Sequence, residues 1–244
     1  MDPILFQQAC DDIRSAGTGS RGIGTLGERT LHAVLKHYCE PTESFHEVRV
    51  GGFVADIANE NGITEIQTRR FDKLRGKLAY FLPFTNVTVV YPIAAVKWIV
   101  WIDGDTGETT KRRKSPRRGT PCDALFEMYK IRGFLCSPHF RLRIILLEME
   151  EYRLLNGWSA DKKRGSERYE RIPIGLVDDF EITGPREYGR LIPPGLAERF
   201  TSRDFAQASG LSLSSSQTAL NVLNAVGAVR RVGKQGRRYV YEKA

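Results

Sequence analysis

Asn61-Gly62 separates two runs of alternating apolar and polar residues, Phe53-Val-Ala-Asp-Ile-Ala58 and Ile63-Thr-Glu-Ile-Gln-Thr-Arg69. Asn-Gly is the strongest short hairpin signal because both residues tolerate positive φ, so this stretch is committed to an antiparallel pair of strands. A two-residue turn at Asn61-Gly62 sets Glu60 opposite Ile63 and Asp56 opposite Gln67, whereas a longer loop moves Asp56 opposite Glu65. In both registers Asp56, Glu65 and Gln67 share one face, while Ile57 and Ile66 share the other. Two carboxylates converging from neighbouring strands repel unless a cation lies between them, and oxygen donors of this kind suit Mg2+ or Mn2+. The plainer reading is a solvated polar face of a hairpin.

Periodicity extends this unit in both directions. Leu31, Val34, Leu35 and Tyr38 have the spacing of one helix face, with Pro41 beyond it, and predict a helix starting near Thr25. Glu28 completes a capping box with Thr25 and also sits one turn before Leu31, at the edge of that face. Glu47 to Val50 reads as a strand ahead of the hairpin. Phe71 to Leu82 reads as a helix with Leu74, Leu78 and Phe81 on one side and Lys73 and Lys77 on another. Asn86 to Tyr91 and Val96 to Ile102 read as two further strands, with a turn at Asp103-Gly104. Helix, three strands, helix, strand, strand predicts an α/β (α+β) fold, a mixed β-sheet flanked by helices.

Composition narrows the function. Hydrophobic residues are 41% and charged residues 27% of 244, which excludes wholesale disorder. The net charge of +8 favours a polyanionic partner. Cys10, Cys39, Cys122 and Cys136 form no CxxC pair, and the four histidines complete no zinc spacing. There is no leader and no membrane-spanning run, which predicts a cytoplasmic protein with reduced thiols. Gly17, Gly19 and Gly22 fit GxGxxG, but a helix over Asp2 to Ala16, built on Ile4, Leu5, Ala9 and Ile13, precedes them where a dinucleotide site needs a strand. The loop reads instead as a cationic segment in which Arg14 and Arg21 can meet phosphate, and a small-molecule enzyme built on it is the weakest reading.

Glu28 on the first helix, Asp56 in the second strand, Glu65-Ile-Gln67 in the third, and a crossover helix into the strand at Val87 to Tyr91 together resemble the PD-(D/E)XK nuclease superfamily. The resemblance covers a motif core at residues 25–103 and implies a restriction-endonuclease-like domain over residues 1–190, with residues 111–190 as an extension. It implies that Asp56 and Glu65 hold Mg2+ (or Mn2+), that Glu28 is an additional ligand, and that the reaction is phosphodiester hydrolysis. Two positions depart from the motif. Ala55 replaces its proline, and Gln67 replaces its lysine, so the missing positive charge falls to Arg69 or Lys77. Without it, the fold is a non-catalytic DNA-binding or regulatory scaffold.

Lys111 to Arg118 is a cationic run whose Arg112 and Arg113 can reach phosphates, the alternative being a mobile solvated loop. Asp123 to Leu135 reads as a helix, Leu142 to Met149 as a strand or a buried helix, and Asp161 to Arg168 as an exposed loop. No chemistry attaches to this region.

A boundary falls at Ile192-Pro-Pro-Gly195. Beyond it Thr201-x-x-Asp204 opens a helix closed by Gly210, Ser214 to Val226 forms a second with Ala219, Leu220, Leu223 and Val226 inward, and two basic strands follow Gly227 around Gly233 to Gly236. Residues 195–244 resemble a winged helix-turn-helix. The resemblance implies DNA contacts from Ser215, Ser216, Gln217 and Asn221 on the second helix and from Arg230, Lys234, Arg237 and Arg238 in the wing. A protein-contact module is the alternative. The whole reads as a Mg2+-dependent DNA endonuclease, acting either singly or as a homodimer that cuts both strands.

Overall fold

The computed structural model describes residues 1–17, 29–158 and 164–244. The helices are α1 (Pro3–Gly17), α2 (Arg29–Cys39), α3 (Arg75–Phe81), α4 (Ala124–Met128), α5 (Ser202–Ser209) and α6 (Leu213–Ala225). The strands are β1 (His46–Val50), β2 (Phe53–Asn59), β3 (Gly62–Ile66), β4 (Val87–Asp103), β5 (Arg113–Lys114), β6 (Phe140–Trp158), β7 (Arg164–Ile182), β8 (Arg199–Thr201), β9 (Val229–Gln235) and β10 (Arg238–Lys243). The fold is mixed α/β. Its larger sheet runs β1-β2-β3-β4-β6-β7 with β5 also on β4, and a smaller sheet runs β8-β10-β9. The larger sheet is mixed, because β2 and β3 are antiparallel while β3 and β4 are parallel across the α3 connection. Among the described residues, no helix is long and apolar enough to cross a membrane.

The chain divides into two compact units that interleave in sequence. The first comprises Met1–His46, Ala94–Gly119 and Ile145–Asp179. Here α2 buries Leu31, Val34, Leu35 and Tyr38, the face set by the helical spacing. The Tyr38 hydroxyl donates to Asp179 at 2.7 Å, and its ring meets Phe6 edge-on at 5.3 Å. The buried side of α1 is Phe6, Ala9 and Cys10, whereas Ile4, expected to face inward, is exposed. The cationic run is not a free loop, because Arg113 and Lys114 pair with Ile99 and Trp98 of β4. Nor is Asp161 to Arg168 a loop throughout: β7 begins at Arg164, and residues 159–163 lie outside those described.

The second unit comprises Glu47–Ile93, Thr120–Ile144 and Phe180–Ala244. Its hairpin pairs Ile57 with Thr64, Ala58 with Ile63 and Asn59 with Gly62, so the turn is Glu60-Asn61 and not Asn61-Gly62. Asp56 therefore lies level with Glu65, not Gln67. Gly62 serves the neighbouring strand: at φ +119° a Cβ there would come within 2.4 Å of the Asn86 carbonyl oxygen. A further difference is the end of β3 at Ile66, short of Gln67 and Arg69. Arg70 takes a left-handed conformation, φ 61°, and a 3-10 turn over Phe71–Leu74 leads into α3. The buried Glu127 carboxylate accepts the Phe71 amide at 2.9 Å and fixes that departure.

The two strands expected over 86–102 are one, β4. Pro92, which lacks an N–H, falls between the β3 ladder, ending at Ile66↔Val90, and the β5 ladder, whose nearest pair is Trp98↔Lys114. Residues Leu142 to Met149 belong to strand β6. The helix expected over Asp123 to Leu135 is broken into α4 and a 3-10 stretch Tyr129–Phe134, with Ile131 at φ −118°. In the C-terminal segment Thr201 and Asp204 form the expected capping box, and Gly210 ends α5 at φ 70°. β8 joins β10 as a strand that periodicity did not reveal.

Candidate active site

The β2–β3 hairpin and α3 bring Asp56, Glu65 and Lys77 together in the second unit. Asp56 accepts the Ile66 amide through Oδ2 at 2.7 Å, at the point where the β3 ladder turns away. Glu65, only 3% exposed, faces Lys77, whose Nζ donates to Oε1 at 2.8 Å and to Oε2 at 2.6 Å. Lys77 reaches this point from the edge of the helix face that Leu74, Leu78 and Phe81 bury, one turn from Leu74 and from Phe81. Burial pushes the Glu65 carboxyl up to about 7, the Asp56 charge adds to that rise, and the Lys77 ammonium opposes it. Near neutral pH the side chain can thus hold or release a proton.

Of the two cations that could stand in for the motif lysine, Lys77 meets Glu65, whereas Arg69 is exposed beyond the end of β3. Gln67 keeps its backbone on the sheet, donating to the Val90 carbonyl at 2.9 Å, but its side-chain amide donates to the Arg69 carbonyl. Glu28 lies outside the described residues, as do Gly19, Arg21 and Gly22. Among the described residues no three His, Cys, Asp or Glu side chains gather as metal ligands. Asp56 and Glu65 by themselves fit an ion that binds through one or two carboxylates and otherwise keeps water and substrate phosphate, as Mg2+ does. A divalent charge there would also relieve the repulsion that raises Glu65.

The positions expected to touch DNA divide. Arg112 is engaged at home, donating to Glu150 at 2.9 Å with its guanidinium 4.7 Å from the Trp98 ring centre, while Arg113 is exposed on β5. On α6 the expected reading face is partly covered, because this helix packs on α4 and the turns after it. Ser216 is fully buried and among the described residues its hydroxyl has no hydrogen-bond partner, and Asn221 accepts from Arg132 at 2.9 Å. Ser215 belongs to the helix N-terminus, bonded to Ser212, which leaves Gln217 exposed. In the β9–β10 hairpin Arg230 is bound by Glu242 at 2.7 Å. Lys234 lies 5.2 Å from the exposed Tyr239 ring, Arg231 4.5 Å from it, and Arg237 and Arg238 are exposed.

Periodicity missed Glu127, whose only signal is Lys130 one helical turn on, bonded to both its oxygens at 2.9 and 3.0 Å. It also missed Arg231, which the hairpin register pairs with Tyr241 and which lies over the diagonal Tyr239 ring.

A family model described as a domain of unknown function (DUF8091) matches residues 29–183. That span contains Asp56, Glu65 and Lys77 and ends before β8. An uncharacterized protein of Treponema pallidum (strain Nichols) is 30% identical over 229 residues, which is 91% of this chain and 87% of the relative. No solved structure matches the chain.

Proposed function

The chain belongs to the DUF8091 family, and from its own residues we propose that it is a Mg2+-dependent DNA endonuclease. The observation behind this reading is the buried Glu65 beside Asp56, with Lys77 bonded to both its oxygens. The order α2, β1, β2, β3, α3, β4, with parallel β3 and β4, supports a restriction-endonuclease-like core. The order β8, α5, α6, β9, β10 supports a winged helix.

Asp56 and Glu65 would hold the ion, which when bound acidifies a water and offsets charge on the scissile phosphate. Lys77 supplies at Nζ the positive charge that Gln67 lacks, directed at the same carboxylate. With its N–H committed to the Arg69 carbonyl, Gln67 keeps its own carbonyl oxygen to accept from the attacking water. The net charge of +8 and the exposed cations of the β9–β10 hairpin favour a DNA partner.

Plasmid, linear and branched DNA incubated with the purified chain in Mg2+ or Mn2+ test the reading. Cleavage by wild type, lost in Asp56→Asn and Glu65→Gln, is the expected result. Gln67 at the motif's lysine position favours a second reading, a DNA-binding protein without hydrolysis. Tight DNA binding with no cleavage in either metal would establish that reading and remove the first.

A further inference from the structure

A second cluster of charge sits in the first unit and shares no residue with the carboxylate pair. The neighbouring strands β4, β6 and β7 bring Lys97, Glu151, Arg153 and Arg168 together. Glu151 is 2% exposed and ionised: burial alone would raise its pKa, but the Arg153 hydrogen bonds and the Lys97 and Arg168 charges hold it below the ordinary carboxylate value. Only Arg153 binds it closely, donating to Oε1 from Nε at 2.7 Å and from its terminal nitrogen at 2.5 Å. The other oxygen has Lys97 Nζ at 3.6 Å and Arg168 Nε at 3.5 Å, both longer than an ordinary N–H···O bond.

Among the described residues Lys97 Nζ and the Arg168 guanidinium have no further partner. Three cations thus surround one carboxylate, an excess of two positive charges at a partly desolvated place. Burial holds the Lys97 ammonium below its usual pKa; Glu151 opposes that shift, and Arg153 and Arg168 reinforce it. Excess buried charge of this kind is costly by itself and is relieved by an anion of matching charge.

The surroundings suggest which anion. Trp101 follows Lys97 on the same face of β4, by strand alternation, and its ring centre lies 5.7 Å from the Arg153 guanidinium. Arg113 pairs with Ile99, between them, and so adds a cation to that face. Loosely held ammonium and guanidinium donors on Lys97 and Arg168, an excess charge of +2 and a partly exposed indole match a phosphate joined to an aromatic base. We propose that Lys97, Arg153 and Arg168 form a binding site for the phosphate of a nucleotide unit, with its base laid against Trp101.

The full chain in EDTA tests this apart from any hydrolysis. Inorganic phosphate, a mononucleotide and a short single-stranded DNA oligonucleotide are the probes, and melting temperature and tryptophan fluorescence are the readouts. Wild type is expected to be stabilised by all three, with fluorescence quenched by the two that carry a base. Arg168→Gln and Lys97→Gln should each weaken binding about tenfold. Arg168 is 45% exposed on its side chain, and Lys97→Gln removes a desolvated charge, so both variants should melt no lower than wild type without ligand. Trp101→Phe should lose the quenching and weaken the base-bearing probes while leaving phosphate binding alone. A mononucleotide as good as the oligonucleotide assigns the site to free nucleotide, and a stronger oligonucleotide assigns it to a DNA strand. No response to any probe, binding of inorganic phosphate alone, or variants that bind like wild type would overturn the proposal. None of these outcomes bears on the Asp56–Glu65 reading, which fails or stands on cleavage.

Discussion

Replacing Glu65 by Gln tests the electrostatics of the hairpin carboxylates without changing their shape. Burial and the Asp56 charge lift the folded-state value of Glu65 from 4.5 to about 7, even with Lys77 bonded to it. The unfolded chain keeps the ordinary value, so between these limits the folded state binds more protons. The stabilisation from protonated Glu65 is complete below about pH 4.5 and is lost as pH rises through about 7. The gap is worth about 3 kcal/mol. Gln is uncharged at every pH, so Glu65→Gln should gain about 3 kcal/mol relative to wild type between about pH 4.5 and pH 8. For a chain of this size that is about 6–12 °C in Tm. Urea unfolding followed by tryptophan fluorescence at the two pH values measures the difference. Stabilities of wild type and variant that move in parallel with pH would refute the reasoning, because Glu65 would then titrate alike in the folded and unfolded chains.

Three further substitutions probe the frame around this site. Lys77→Met leaves the buried Glu65 carboxylate, beside Asp56, without its cation and should cost about 3–5 kcal/mol at about pH 8, less at acid pH, and abolish cleavage; adding Glu65→Gln should recover most of the stability in the same urea assay. Gly62→Ala places a Cβ 2.4 Å from the Asn86 carbonyl oxygen at φ +119°, and should cost about 2 kcal/mol or more in thermal unfolding. Ser216→Ala removes a buried hydroxyl that has no partner among the described residues, so stability should hold or rise by about 1 kcal/mol and affinity for a DNA duplex should not change; a loss of affinity would contradict the burial of Ser216.

What could be read from residues alone depended on how local each determinant is. Leu31, Val34, Leu35 and Tyr38 are buried together because helical spacing is a property of the segment itself. Asp56 and Glu65 share a face for the same reason: alternation survives a change of register by two. Alternation left two registers open, and the one adopted, with Asp56 level with Glu65, sets Gly62 against Asn86 just ahead of β4, a contact no hairpin rule contains. The end of β3, and with it the fate of Gln67 and Arg69, is fixed by Glu127, 56 residues from its partner Phe71. Ser216 and Asn221 looked like reading groups on an open helix, but Ser216 falls on the buried face with Ala219, Leu220 and Leu223, and Arg132 binds Asn221. Lys97, Glu151 and Arg168 lie on three strands whose adjacency appears only in the sheet order.

Uptake of Mn2+, followed by the loss of the free-ion electron paramagnetic resonance signal at about pH 8, addresses the carboxylate pair directly. Wild type should take up the ion, Asp56→Asn and Glu65→Gln should each bind it at least about tenfold more weakly, and Ser216→Ala should match wild type. Equal uptake by wild type and Asp56→Asn would mean that the two carboxylates are not a metal centre.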